Sequence, residues 1–175
     1  MRAILFDLDG VFYQGEQLLP GAVETLAWVR AQGIAHLFLT NTSSRPRSAI
    51  VATLADMGIT VTAEELLTPA TAAAAWAVRA GIGPLALFVA AATREEFVGL
   101  PRLADDAETG AAAVVVGDLG ASWDFATLNR AFRLLMDGEP QLVALGMTRY
   151  WRAEDGLRLD AGPMVSALSY ASGRE

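Results

Sequence analysis

The chain has 175 residues, 53% of them hydrophobic, no cysteine and a formal net charge of −7. That is enough apolar material for one large domain or two small ones, and the negative charge sets the surface against phosphate backbones and anionic bilayers, which argues against nucleic acid and membranes as partners. Disulfides, thiolate metal sites and cysteine nucleophiles are excluded, and all 13 basic residues are arginine.

Ala3 to Phe6 is continuously apolar, the pattern of a fully buried strand in a parallel sheet covered on both faces. Asp7 and Asp9 cut the run short, so it is not the core of a signal peptide. Pro20-Gly21 opens a helix with Ala22, Leu26 and Val29 on one face, and Gly33 ends it. Ile34 to Leu39 reads as a second strand, with His36 packed inside it, and stops at Thr40-Asn41-Thr42-Ser43-Ser44. Pro46 suits the first turn of a helix carrying Ile50, Leu54 and Met57, with Gly58 as its stop. A short strand at Leu66-Leu67-Thr68 completes a β-α-β-α-β series, which implies a doubly wound parallel sheet.

Beyond Thr68-Pro69 an alanine-rich helix covers Ala70 to Ala80. Apolar strands follow at Leu85 to Ala90, Ala112 to Val116 and Leu142 to Leu145. The longest apolar run, Leu85 to Ala92, is too short to span a bilayer, and a cytoplasmic protein is expected. Ser122 is a good N-cap for a helix whose Phe125, Leu128, Phe132 and Leu135 form a core stripe. Tyr150 to Leu159 reads as a hairpin turning at Asp155-Gly156. Pro163 opens a last helix with Val165, Leu168 and Ala171, which Gly173 closes.

In an open parallel sheet, ligands bind beyond the carboxyl ends of the strands. Asp7-Leu8-Asp9-Gly10 leaves the first strand and Thr40-Asn41-Thr42-Ser43-Ser44 the second, so carboxylates, hydroxyls and an amide meet at one rim. Two close carboxylates call for a divalent cation or a shared proton, and Mg²⁺ suits an oxygen-only set that leaves room for a phosphate. A carboxylate in such a place attacks phosphorus while its neighbour serves the leaving group, which requires an Asp9 pKa above the ordinary carboxylate range. Gly10 lets the backbone bend and turns N–H groups toward an anion. Thr40 and Asn41 are placed to donate to phosphoryl oxygens.

"DLDGVFY" with "LTNTSSR" resembles the haloacid dehalogenase superfamily of phosphatases. "LLTPATAAAAW", "AAVVVGD", "LNRAFRLLMDG", "RYWRAEDGLRLDAG" and "ALSYASGRE" are similar to its subfamily IIA, the 4-nitrophenylphosphatase-like group. The resemblance implies an α/β Rossmannoid core with an inserted α/β cap: core over 1–68, cap over 69–158, and a return to the core over 159–175. It implies Asp7 as nucleophile, Asp9 as general acid/base, and Mg²⁺ held by Asp7 and Asp9. Leu8, Gly10, Thr40, Asn41, Ser43 and Arg45 form the phosphate-binding set, and the substrate is a small phosphorylated molecule. A homodimer is a reasonable assembly.

The family pattern continues with a lysine segment and an acidic pair that this sequence does not contain. The core is therefore expected to be incomplete at its C-terminus, and these 175 residues alone to have weak or no phosphatase activity. A non-catalytic phosphate-binding or assembly module is the alternative.

Overall fold

A computed structural model describes residues 3–15, 17–153 and 155–174. In chain order it contains β1 (Ala3–Asp7), a small hairpin of β2 (Tyr13–Gln14) and β3 (Gln17–Leu18), α1 (Ala22–Ala31), β4 (Ala35–Leu39), α2 (Arg47–Asp56) and β5 (Leu66–Leu67). Then come α3 (Pro69–Ala80), β6 (Leu85–Phe88), β7 (Ala113–Val116), α4 (Phe125–Met136), β8 (Gln141–Ala144), β9 (Tyr150–Ala153), β10 (Gly156–Leu159) and α5 (Ala161–Ser172).

Two separate parallel sheets result, ordered β1-β4-β5 and β6-β7-β8. In the first, Asp7 lies beside Leu39 and Leu39 beside Leu67, so the three strands end at one rim. Leu26 of α1 and Leu54 of α2 bury against Phe38 and Leu66. Phe12, just past the tight turn at Gly10, drops into this core and meets Phe6 at 5.2 Å and Phe38 at 5.4 Å, both edge-on, geometry that aromatic quadrupoles favour. His36 packs against Phe6 and Phe38, as a core residue should.

The first strand is not fully buried. Ile4 and Phe6 are half-buried while Leu5 is 65% exposed, because β1 pairs only with β4 among the described residues and shows its second face to solvent.

The second sheet has the doubly covered character. Every residue of β6 and β7 is buried. Ala70, Ala73 and Ala77 of α3 pack on Leu85, Leu87 and Val115, while Ala131, Leu134 and Leu135 of α4 cover Ala86, Phe88, Val114 and Val116 from the other side. The alanine spacing of α3 lets helix and sheet approach closely.

Three expectations shift here. Val165 and Leu168 place α5, the segment expected to return to the first unit, in the α4 cluster on the second sheet. Asp124, not Ser122, caps α4, its carboxylate accepting the Thr127 N–H at 2.7 Å. Phe125, the first residue of that helix, is 82% exposed and lies outside the core stripe. Asp155 lies in the turn between β9 and β10, an antiparallel pair in which Gly156 lies opposite Ala153 and Trp151 opposite Arg158. No helix among the described residues is long and apolar enough to cross a membrane.

Candidate active site

The rim where β1 and β4 end gathers the two polar stretches. One Asp7 carboxylate oxygen accepts the Leu8 N–H at 2.8 Å, and the Leu8 side chain is fully buried. Gly10, at φ +76°, adopts a conformation that favours glycine, and its N–H donates to the Tyr13 carbonyl at 2.7 Å. The Leu8 and Gly10 amides, expected to face phosphate, thus make hydrogen bonds within the turn. Thr40 donates through its hydroxyl to Thr42 Oγ1 at 3.0 Å and accepts the Thr42 N–H at 3.2 Å.

Ser43 and Arg45 are also engaged. Ser43 is buried; its hydroxyl accepts the Asp118 N–H at 3.2 Å and its carbonyl accepts the Thr93 hydroxyl at 3.2 Å. Arg45 extends along α2, donating to the Ala49 carbonyl at 3.0 Å and to the Thr53 hydroxyl.

A cleft of about 330 Å³ opens between the two sheets. Asp9, Asn41, Ser43 and Arg45 line one side, and Asp118, Thr148, Trp151 and Asp160 the other. Asp7, Leu8, Gly10 and Thr40 are not among its lining residues. A larger hollow of about 470 Å³, walled by Arg94, Arg102 and Asp105, lies away from the Asp7-Asp9 turn; chemistry, not size, selects the smaller cleft.

Sequence reasoning missed several contributors. Burial pushes the Tyr13 phenol above its ordinary pKa; Asp9 adds to that rise, Arg45 opposes it and Asp7 adds a little more. Its ring therefore stands among the charged groups of the rim, a position set by the turn after Asp9. Thr148 is held from below: its carbonyl accepts the Gly162 N–H at 3.1 Å, and a Cβ at Gly162 would lie 2.6 Å from the Met147 and Thr148 carbonyl oxygens. Glycine is what allows α5 to support that wall.

The second unit is bound to the core beside the site. The Glu96 carboxylate, 4% exposed, accepts the Arg47 N–H at 2.7 Å and its Nε at 3.1 Å. A carboxylate from one unit thus serves the N-terminus of α2 in the other.

No group of three or more His, Cys, Asp or Glu side chains converges among the described residues. What the chain offers is the Asp7-Asp9 pair, an oxygen set that fits a Mg²⁺ ion retaining waters and taking a substrate oxygen, not a closed protein cage.

The family model for haloacid dehalogenase-like hydrolases matches residues 4–100. The chain belongs to that family. It is 34% identical over 179 residues to human phospholysine phosphohistidine inorganic pyrophosphate phosphatase, covering 99% of this chain and 63% of the relative. Among solved structures it resembles a 4-nitrophenylphosphatase from Thermotoga maritima (TM-score 0.87, 25% identity, 100% of this chain and 66% of that one). It also resembles a glycerol phosphate phosphatase from Mycobacterium tuberculosis in complex with magnesium (TM-score 0.83, 31% identity, 99% of this chain and 52% of that one). These relatives fit the subfamily IIA resemblance and the α/β Rossmannoid fold. The chain spans about 63% of the length of the curated relatives it matches.

Proposed function

We propose that this chain carries out Mg²⁺-assisted hydrolysis of small phosphomonoesters at the Asp7-Asp9 rim. The observation that carries the reading is the convergence of the β1 and β4 ends, Asp7 beside Leu39, with Asp9 and Asn41 opening into one cleft. The three relatives named above differ in what their names attach to phosphate: amino acids or pyrophosphate, 4-nitrophenol, and glycerol. The phosphoryl group is what they share, which supports phosphoryl chemistry and leaves the leaving group open.

In this mechanism an Asp7 carboxylate oxygen attacks phosphorus, and the bond to the leaving-group oxygen breaks as the Asp7-phosphoryl bond forms. Asp9, as the acid, delivers a proton to the departing oxygen. It then takes a proton from the water that attacks phosphorus and frees Asp7. Asn41 and Arg45 line the cleft where phosphoryl oxygens would lie, and donors aimed at developing charge are the larger part of such catalysis. Asp7 and Asp9 would hold a Mg²⁺ ion, which would offset the negative charge of the phosphate.

Arg45 is the cationic side chain among the lining residues, and its guanidinium is drawn along α2. That favours turnover below the roughly 1–100 s⁻¹ typical of phosphoryl-transfer enzymes. It also supports a second reading, phosphate binding without turnover. Hydrolysis of 4-nitrophenyl phosphate with and without Mg²⁺ separates the two: Mg²⁺-dependent product release supports the enzyme, and a folded, phosphate-binding but silent chain supports the binding module.

A further inference from the structure

Asp118 is a carboxylate of the cleft that the phosphoryl chemistry leaves without a task. It follows β7 and is held from two sides: its N–H donates to Ser43 Oγ at 3.2 Å, and its Oδ1 accepts the Gly120 N–H at 2.7 Å. Those bonds fix the half-buried side chain in the wall facing Asp9. Asp160, the other acid on this wall, accepts the Ala161 N–H at 2.6 Å at the head of α5.

A charge count decides what Asp118 can accept. With Asp9 carrying the proton it delivers, the phosphate dianion and the Asp7 carboxylate are answered by a divalent cation and by Arg45. Asp118 has no salt-bridge partner among the described residues, and an anionic or neutral leaving group would leave its charge opposed or unmet. An ammonium group would answer it. Trp151, on the same wall and 42% exposed, adds an aromatic surface of the kind that attracts cations. The guanidinium over that ring, Arg158 at 5.8 Å, has its own charge met by Asp155 at 2.7 and 3.0 Å.

We infer that Asp118, with Trp151, selects phosphate esters whose leaving group carries a positively charged amine. This rests on the phosphatase reading of the cleft and deepens it.

The test is calorimetric binding, in Mg²⁺, of 2-aminoethyl phosphate and 2-hydroxyethyl phosphate, which differ in an ammonium against a hydroxyl. It is run in the Asp7→Asn background, where neither ligand is turned over. The amine is expected to bind about fivefold tighter, the ratio that a partly exposed ion pair supports. Adding Asp118→Asn, which keeps the acceptor for the Gly120 N–H, is expected to bring the ratio to about one. Equal affinities at the start, or a preference that survives Asp118→Asn, overturn the inference and leave the phosphatase reading standing. Failure of both ligands to bind overturns the inference together with that reading.

Discussion

The N–H of Asp118 donates to the hydroxyl of Ser43 at 3.2 Å, joining residues 75 positions apart in sequence. The strand-end loop carrying Asn41 and the far wall of the cleft are thereby held as one piece, and the Thr93 hydroxyl on the Ser43 carbonyl reinforces the join. Ser43→Ala removes the acceptor and leaves the Asp118 N–H unpaired, a loss of about 1–2 kcal/mol. Urea unfolding is expected to show that loss, with the Michaelis constant for 4-nitrophenyl phosphate rising more than turnover falls. An unchanged unfolding midpoint would show that the bond holds nothing.

Glu96 is a second anchor between the two units. Truncation by Glu96→Ala strips the carboxylate from the Arg47 N–H and guanidinium at once. We expect about 2–3 kcal/mol of destabilisation. A shallower urea dependence is also expected, since the two units would then unfold less cooperatively. A single steep transition at the original midpoint would argue that the units are joined elsewhere.

Glu65 is one of the carboxyls that set acid stability. Burial alone would raise its carboxyl, but the Thr62 N–H at 2.8 Å and the Arg30 guanidinium outweigh it, and the pKa sits below the ordinary value. A depressed folded pKa contributes stability above the unfolded value, about 4.3, and that contribution is lost as pH falls through the folded one. Thermal unfolding should therefore be flat from pH ~7 to ~5 and decline below pH ~4. Glu65→Gln should be less stable than the parent near neutrality and show a smaller decline in acid.

Tyr13 reports on the rim. Because burial and then Asp9 raise its pKa, it is expected to ionise above the ordinary tyrosine value of about 10 in an alkaline absorbance titration. Asp9→Asn should bring it back toward ~10. If Asp9→Asn leaves the titration where it was, the phenol does not stand beside that carboxylate.

Much of the fold is legible because it repeats at a helical period. Ala22, Leu26 and Val29 are the buried face of α1, and the Ala70 to Ala80 helix is found within a residue of its observed bounds. Where two signals compete, the sequence misleads. Ser122 and Asp124 are both good caps, and the Thr127 amide bonds to Asp124. A continuous apolar run in β1 speaks for two neighbouring strands, yet only β4 lies beside it among the described residues.

The site divides in the same way. Asp9 and Asn41 follow from the rule that ligands bind at strand ends. Thr148 and Asp160 enter the cleft from the loop after β8 and the head of α5, and that packing against the second sheet has no periodic signature. Ser43 lies at the rim, and its bond to Asp118 depends on how two sheets face each other.

The most direct measurement is Mg²⁺-dependent hydrolysis of 4-nitrophenyl phosphate by the 175-residue chain beside its Asp7→Asn variant. The account predicts slow release of 4-nitrophenol that needs Mg²⁺ and disappears in Asp7→Asn while the fold persists. Hydrolysis that survives in Asp7→Asn, or its absence from the parent chain, would contradict Asp7 as the nucleophile at this rim.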